Sequence, residues 1–172
     1  MQTVEETIEE IKLRLGLKPH PVEGGFFVET YRSAEEIPSE SLPSRYGGSR
    51  SFGTAIYYLI TPDTFSALHR LPTDEIFHFY LGDPVEMLQL HPDGSGRTVQ
   101  LGPEIERDQK PQVIVPQGVW QGSRLVAGGR FALLGCTMAP GFDFADYEAG
   151  NRTGLIARYP TFSEWIVALT RE

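Results

Sequence analysis

The chain has 172 residues, 23 acidic and 15 basic side chains and a formal net charge of −8. A chain of this length buries roughly 70 % of the surface its unfolded form exposes, so its core needs no disulfide or structural metal. The lone cysteine, Cys136, excludes an intramolecular disulfide framework and a Cys-rich zinc site, and the acidic balance speaks against nucleic acid and against an anionic membrane surface.

The opening MQTVEETIEE is acidic and polar, unlike the positive start and apolar run of a signal peptide. No apolar stretch approaches the roughly 20 residues that span a bilayer. A cytoplasmic protein without membrane contact is expected. A helix is predicted over about 3–16. Thr3 and Glu6 form a capping-box pattern, Val4, Ile8, Ile11 and Leu15 fall on one stripe, and Gly16 and Pro19 end it.

From Gly24 the period changes to two: Phe26, Val28 and Thr30 alternate with Phe27, Glu29 and Tyr31. Residues 33–50 carry no period and much Ser, Pro and Gly. They read as an exposed loop or, alternatively, as a lid, an arm or a mobile strand connection. Strands are then predicted at 51–60, 65–71, 75–81, 85–91, 97–102, 112–115, 119–125 and 130–138, with turn residues between them and Asp93-Gly94 as a hairpin signal. Eight or nine short strands at this spacing make an all-β sandwich or barrel over about 24–138. Residues 139–160 read as irregular. A short C-terminal helix over about 161–169, capped by Thr161 and Glu164, completes a single domain spanning 1–172.

Strand alternation assigns faces. Phe65, Ala67, His69 and Leu71 share one face of their strand, and Gln121 lies opposite Trp120. Glu75, Phe77 and Phe79 share a face, with Ile76, His78 and Tyr80 on the other. Both faces of 75–81 are largely apolar, so that strand is expected to be covered on both sides, the outer one by helices, an extra strand layer or a partner subunit.

The stretch from His69 to Gly82 resembles the first cupin motif, G-x5-H-x-H-x3/4-E-x6-G, with His69, Glu75 and Gly82 in register. Leu71 stands where the second His belongs and Asp63 where the leading Gly belongs. The second motif, G-x5-P-x-G-x2-H-x3-N, is matched at Pro116 and Gly118. Gln121, Leu125 and Lys110 stand at its His, Asn and leading Gly positions. His20-Pro21-x2-Gly24-Gly25, Glu29-x-Tyr31-Arg32-Ser33, Leu68-His69-Arg70, Asp74-Glu75-Ile76, Phe79-x2-Gly82-Asp83, Gln112-x2-Val115-Pro116, Trp120-Gln121 and Ala139-Pro140-Gly141-Phe142 look like one branch of that superfamily. The branch holds small single-cupin proteins of bacteria and fungi, of unknown function, and the resemblance covers about residues 5–150. It implies a double-stranded β-helix, a jelly-roll barrel open at one end, that pairs into a homodimer. Its barrel is similar to that of sugar-nucleotide epimerases.

Metal-dependent cupins hold their ion with three His and one Glu. Here Leu71 ligates nothing and Gln121 offers a weaker donor than imidazole. No cofactor is expected, and were a divalent metal bound, its ligands would be His69, Glu75 and Gln121. Three functions remain. The first is a metal-independent cupin holding a small polar ligand with His69, Glu75, Phe77, Phe79, Gln121 and Tyr31. The second is a sugar or sugar-nucleotide epimerase or isomerase with His69 and Glu75 as its acid–base pair. The third, less favoured, is a metal-dependent enzyme. His78 is expected on the outer face or an interface, Trp120 in packing, and Cys136 as a buried inert thiol. Tyr31 and Glu29 read equally as pocket caps or as edge-strand residues. Arg32, Arg70 and Arg124 read as surface charges able to meet an anionic ligand group.

Overall fold

The computed structural model describes residues 3–171. Met1, Gln2 and Glu172, the ends of the expected domain, lie outside the described residues. Helix α1 (Val4–Leu15) starts as the capping box requires. The Glu6 N–H donates to Thr3 Oγ1 and the Thr3 N–H to Glu6 Oε2, while Gly16 ends the helix in the left-handed region. Thirteen strands follow: β1 (Lys18–Pro19), β2 (Phe26–Arg32), β3 (Glu36–Ile37), β4 (Arg50–Ser51), β5 (Thr54–Ile60), β6 (Ser66–Arg70), β7 (Glu75–Gly82), β8 (Val85–Leu90), β9 (Gly96–Leu101), β10 (Gln112–Val115), β11 (Trp120–Leu125), β12 (Ala132–Met138) and β13 (Glu148–Ala149). Helices α2 (Arg152–Arg158) and α3 (Ser163–Ala168) close the chain.

Two antiparallel sheets build the barrel, in the orders β1-β2-β5-β12-β7-β10 and β13-β6-β11-β8-β9. Between them lies a core of Tyr58, Ile60, Phe77, Met87, Val113 and Leu134 with their neighbours. Outside the first sheet, Ile8 of α1 packs with Leu17 on Leu59 and Leu133. Outside the second sheet, Leu68, Leu88, Leu90 and Trp120 pack against Leu155, Tyr159, Ile166 and Leu169 of the C-terminal helices. No helix among the described residues is long and apolar enough to cross a membrane.

The eight predicted strands are present, and three local expectations are corrected. Residues 33–50 hold a small ribbon, β3 on β4, and the buried Tyr46 hydroxyl is 2.7 Å from Thr73 Oγ1. The segment expected to be irregular contains α2, capped where Asn151 Oδ1 accepts from the Gly154 N–H. Thr161 caps nothing: Pro160–Phe162 form a 3-10 turn that takes Thr161 inside it, and Phe162 precedes α3 without a side-chain cap.

Within the single chain β7 is covered on its inner face. A bulge at Tyr80 offsets the pairing with β12, Phe79 facing Leu134 and Leu81 facing Leu133. Tyr80 lies back over the outer face, stacked on His78 and edge-on to Tyr57. That face carries no helix here, and Tyr80, Leu81 and Ile114 remain close to half exposed. His78 is on this outer face, with Nε2 3.0 Å from Thr137 Oγ1.

Candidate functional site

One end of the barrel holds a cavity of about 250 Å³ between the two sheets. Its floor is the apolar core, so the barrel is filled below it. His69 on β6 and Glu75 at the start of β7 both face it, as the strand faces require. His69 is 1 % exposed. Its Nδ1 donates to the Ala67 carbonyl oxygen at 2.8 Å, and its Nε2 has no hydrogen bond inside the protein. Tyr147 stacks on the ring at 4.9 Å and fixes its plane.

Glu75 is buried, and its Oε2 accepts from Gln121 Nε2 at 2.6 Å across the gap between the sheets. Burial pushes its carboxyl up from 4.5 to about 7, and the Glu23 charge adds to the rise. His69 and the hydrogen bonds from Gln121 and Cys136 oppose it. Burial, with Glu75 beside it, pushes the Cys136 thiol well above its ordinary range. That thiol lines the cavity as a protonated group.

The loop between β1 and β2 supplies two side chains that sequence reasoning did not nominate, His20 and Glu23. His20 Nδ1 accepts from the Glu23 N–H at 2.9 Å, so the proton of its neutral ring sits on Nε2. Burial lowers its pKa, more than Glu23 raises it. Glu23 Oε1 accepts from the Ser66 hydroxyl, while Oε2 lies 3.7 Å from His20 Nε2 and 4.0 Å from His69 Nε2. Glycine makes this loop possible. Gly24 has φ 103°, and a Cβ there would stand 2.4 Å from the Phe65 carbonyl oxygen. The pair Gly24-Gly25 ahead of a strand was the available signal of such a close approach.

Two bulges decide which neighbours join the site. In β2 the pairing with β5 shifts between Glu29 and Tyr31, so Arg32 pairs with inward Thr54 and Tyr31 with outward Ala55. Arg32 therefore lines the cavity beside Glu29, bonded to both its carboxylate oxygens at 2.9 and 2.8 Å and to the Phe142 carbonyl. Tyr31 is 56 % exposed on the outer face. In β6 the pairing with β11 shifts between Gln121 and Ser123, turning Ser66 inward and Phe65 out under the C-terminal helices. Phe77 and Phe79 belong to the core beneath and do not line the cavity, and Gln121 reaches it only through Glu75.

Phe142, Asp143 and Phe144, which follow β12, also line the cavity, and no residue of 33–50 does. Arg70 pairs with Glu148 and stacks over Trp120, and Arg124 pairs with Glu86 and stacks over Trp165, both away from the cavity.

The residues do not suit a divalent metal. Leu71 lines the cavity where a third donor would stand, and Gln121 presents its NH2 rather than its oxygen to Glu75. No group of three or more His, Cys, Asp or Glu among the described residues is placed to hold an ion. Two carboxyls and two imidazoles converge instead, an arrangement able to bind a polar molecule or to move a proton.

The model of the Cupin superfamily family DUF985 matches residues 9–150. The uncharacterized protein YML079W of Saccharomyces cerevisiae is 30 % identical over 133 residues, 73 % of this chain and 66 % of the yeast protein. The chain thus spans just under two thirds of that relative's length. A hypothetical protein from Leishmania major superposes with a TM-score of 0.84 at 34 % identity, covering 95 % of this chain and 98 % of its own. Protein SO0799 from Shewanella oneidensis does so with a TM-score of 0.84 at 33 % identity, covering 99 % of each. With His69, Glu75 and Gly82 in the motif register and two facing sheets around them, the chain belongs to the cupin superfamily, in the family DUF985.

Proposed function

We propose that this cupin binds a small polar molecule in its barrel, without a metal, through His69 and Glu75. The observation that carries the reading is the bare Nε2 of a 1 % exposed histidine, facing a cavity beside a carboxyl that titrates near neutrality. A ring nitrogen that lines a cavity without a hydrogen bond inside the protein offers a ligand atom a partner. Phe77 and Phe79 support the floor, and Gln121 orients Glu75 through its hydrogen bond.

Native mass spectrometry of the freshly purified protein, with elemental analysis, tests this. The expected result is no stoichiometric Fe, Ni, Mn or Zn, and a retained small molecule that His69→Ala and Glu75→Gln each lose. A stoichiometric metal overturns the metal-free reading. Retention by both variants places the ligand elsewhere.

A second reading, acid–base isomerisation, is favoured by one specific observation. Glu75 exchanges its proton near neutral pH beside a histidine lone pair, which is what proton transfer α to a carbonyl requires.

We also propose a cytoplasmic homodimer. The outer face of the six-stranded sheet leaves Tyr31, Tyr80, Leu81 and Ile114 exposed around His78, an apolar patch of the kind that marks a subunit contact. Sedimentation at micromolar concentration should give about twice the 19.2 kDa of one chain, and Tyr80→Glu should shift it toward the monomer. A wild type that sediments as a monomer sinks the dimer.

A further inference from the structure

The cavity wall has a sign. Glu23, Glu29 and Asp143 line it against a single guanidinium, Arg32, which is already bonded by two N–H groups to Glu29. The other nearby cation, Arg171, directs its N–H groups to the carbonyl oxygens of Val22 and Glu23 and packs over Phe65. His20, kept neutral by burial, adds no positive charge beside Glu23. A negative wall disfavours an anion and draws a cation.

Two further observations narrow the class. Glu23 Oε2 and His69 Nε2 are 4.0 Å apart, too far to bond to each other. That separation suits one nitrogen donating to both at about 2.9 Å. Around His20 the wall is aromatic, with Phe27 at 4.7 Å and Phe144 at 6.0 Å between ring centroids, and Phe142 at 4.9 Å from Phe144. Aromatic faces beside a carboxylate attract the polarised carbons next to an ammonium.

We propose that the cavity selects a small primary ammonium ion. Two of its N–H groups donate to Glu23 Oε2 and His69 Nε2, and the carbon chain beside the nitrogen packs on Phe27 and Phe144. The proposal rests on the reading of this cavity as a small-molecule site and names the charge and donor pattern of what enters it. Nothing reacts in this step; it is binding alone.

The test uses three probes with one ring and three head groups: benzylamine, benzyl alcohol and benzoate. Each is titrated into the full-length protein by NMR, and the signals of Cys136 and Met138, both lining the cavity, report where it binds. Benzylamine should bind roughly tenfold more tightly than benzyl alcohol, as expected for a charge-assisted hydrogen bond, and benzoate more weakly than either. Glu23→Gln should remove the preference for benzylamine over benzyl alcohol. Arg32→Gln should strengthen benzylamine binding, a gain that mere loosening of the fold would not give. Benzyl alcohol or benzoate perturbing the same signals as tightly as benzylamine overturns the ammonium assignment and leaves cavity binding standing. Failure of all three to perturb those signals overturns the ammonium assignment, and the retained-molecule experiment then decides cavity binding by itself.

Discussion

Above pH 7, Glu75→Gln should be more stable than the wild type by up to about 3 kcal/mol. Burial holds this carboxyl at about 7 in the folded protein, against 4.5 for an unperturbed one. Between those values the folded state keeps a proton that the unfolded state has released. Wild-type stability therefore falls as pH rises through the window and levels off above about 7, at about 1.4 kcal/mol for each unit of displacement. A glutamine carries no such proton, and its amide oxygen can accept the bond that Gln121 now gives to Glu75. Urea denaturation of both proteins from below pH 4.5 to above pH 7 measures the difference. A gap between them that stays constant with pH would mean that Glu75 is already ionised in the fold, and the acid–base reading would lose its acid. The protein tolerates this cost because it yields a carboxyl able to give or take a proton at working pH, next to a histidine whose free nitrogen points the same way.

The sequence carried the barrel and half of the site. Strict alternation and turn residues located the eight main strands, since a half-buried strand must present one apolar face. The spacing of His69, Glu75 and Gly82 placed a histidine and a carboxyl together because both begin or end strands that face the same interior. What alternation misjudged lies at the bulges. An extra residue in β2 exchanged Tyr31 for Arg32, one in β6 exchanged Phe65 for Ser66, and one in β7 laid Tyr80 across the outer face. A bulge flips every later side chain of its strand and leaves no mark in residue type. His20 and Glu23 were missed for a different reason. They sit on a loop, where no period assigns a face, and only the two glycines after them announced that the loop runs close against the barrel. Phe77 and Phe79 do face inward, but depth along the barrel, which alternation does not encode, puts them in the core below the cavity.

Breaking the Arg50–Asp146 pair should have an effect of similar size. Both side chains are nearly inaccessible, at 5 % and 6 %. Arg50 Nε donates to Asp146 Oδ2 at 2.8 Å and a second N–H reaches Oδ1, while other N–H groups satisfy the carbonyls of Gly48 and Ser49. Arg50→Met leaves the Asp146 carboxylate buried without its cation and should cost about 3 kcal/mol in a urea melt. Pairing it with Asp146→Leu should recover much of that loss, because an apolar pair of similar volume no longer pays for desolvation. If the double variant is as unstable as the single one, the guanidinium contributes through the Gly48 and Ser49 carbonyls and not through the ion pair. The pair also has a place in the site. It ties the ribbon of β3 and β4 to the segment from which Phe142, Asp143 and Phe144 line the cavity, and Arg32 holds the same segment through the Phe142 carbonyl. Arg50→Met should therefore weaken binding of any molecule in the cavity even where the fold survives.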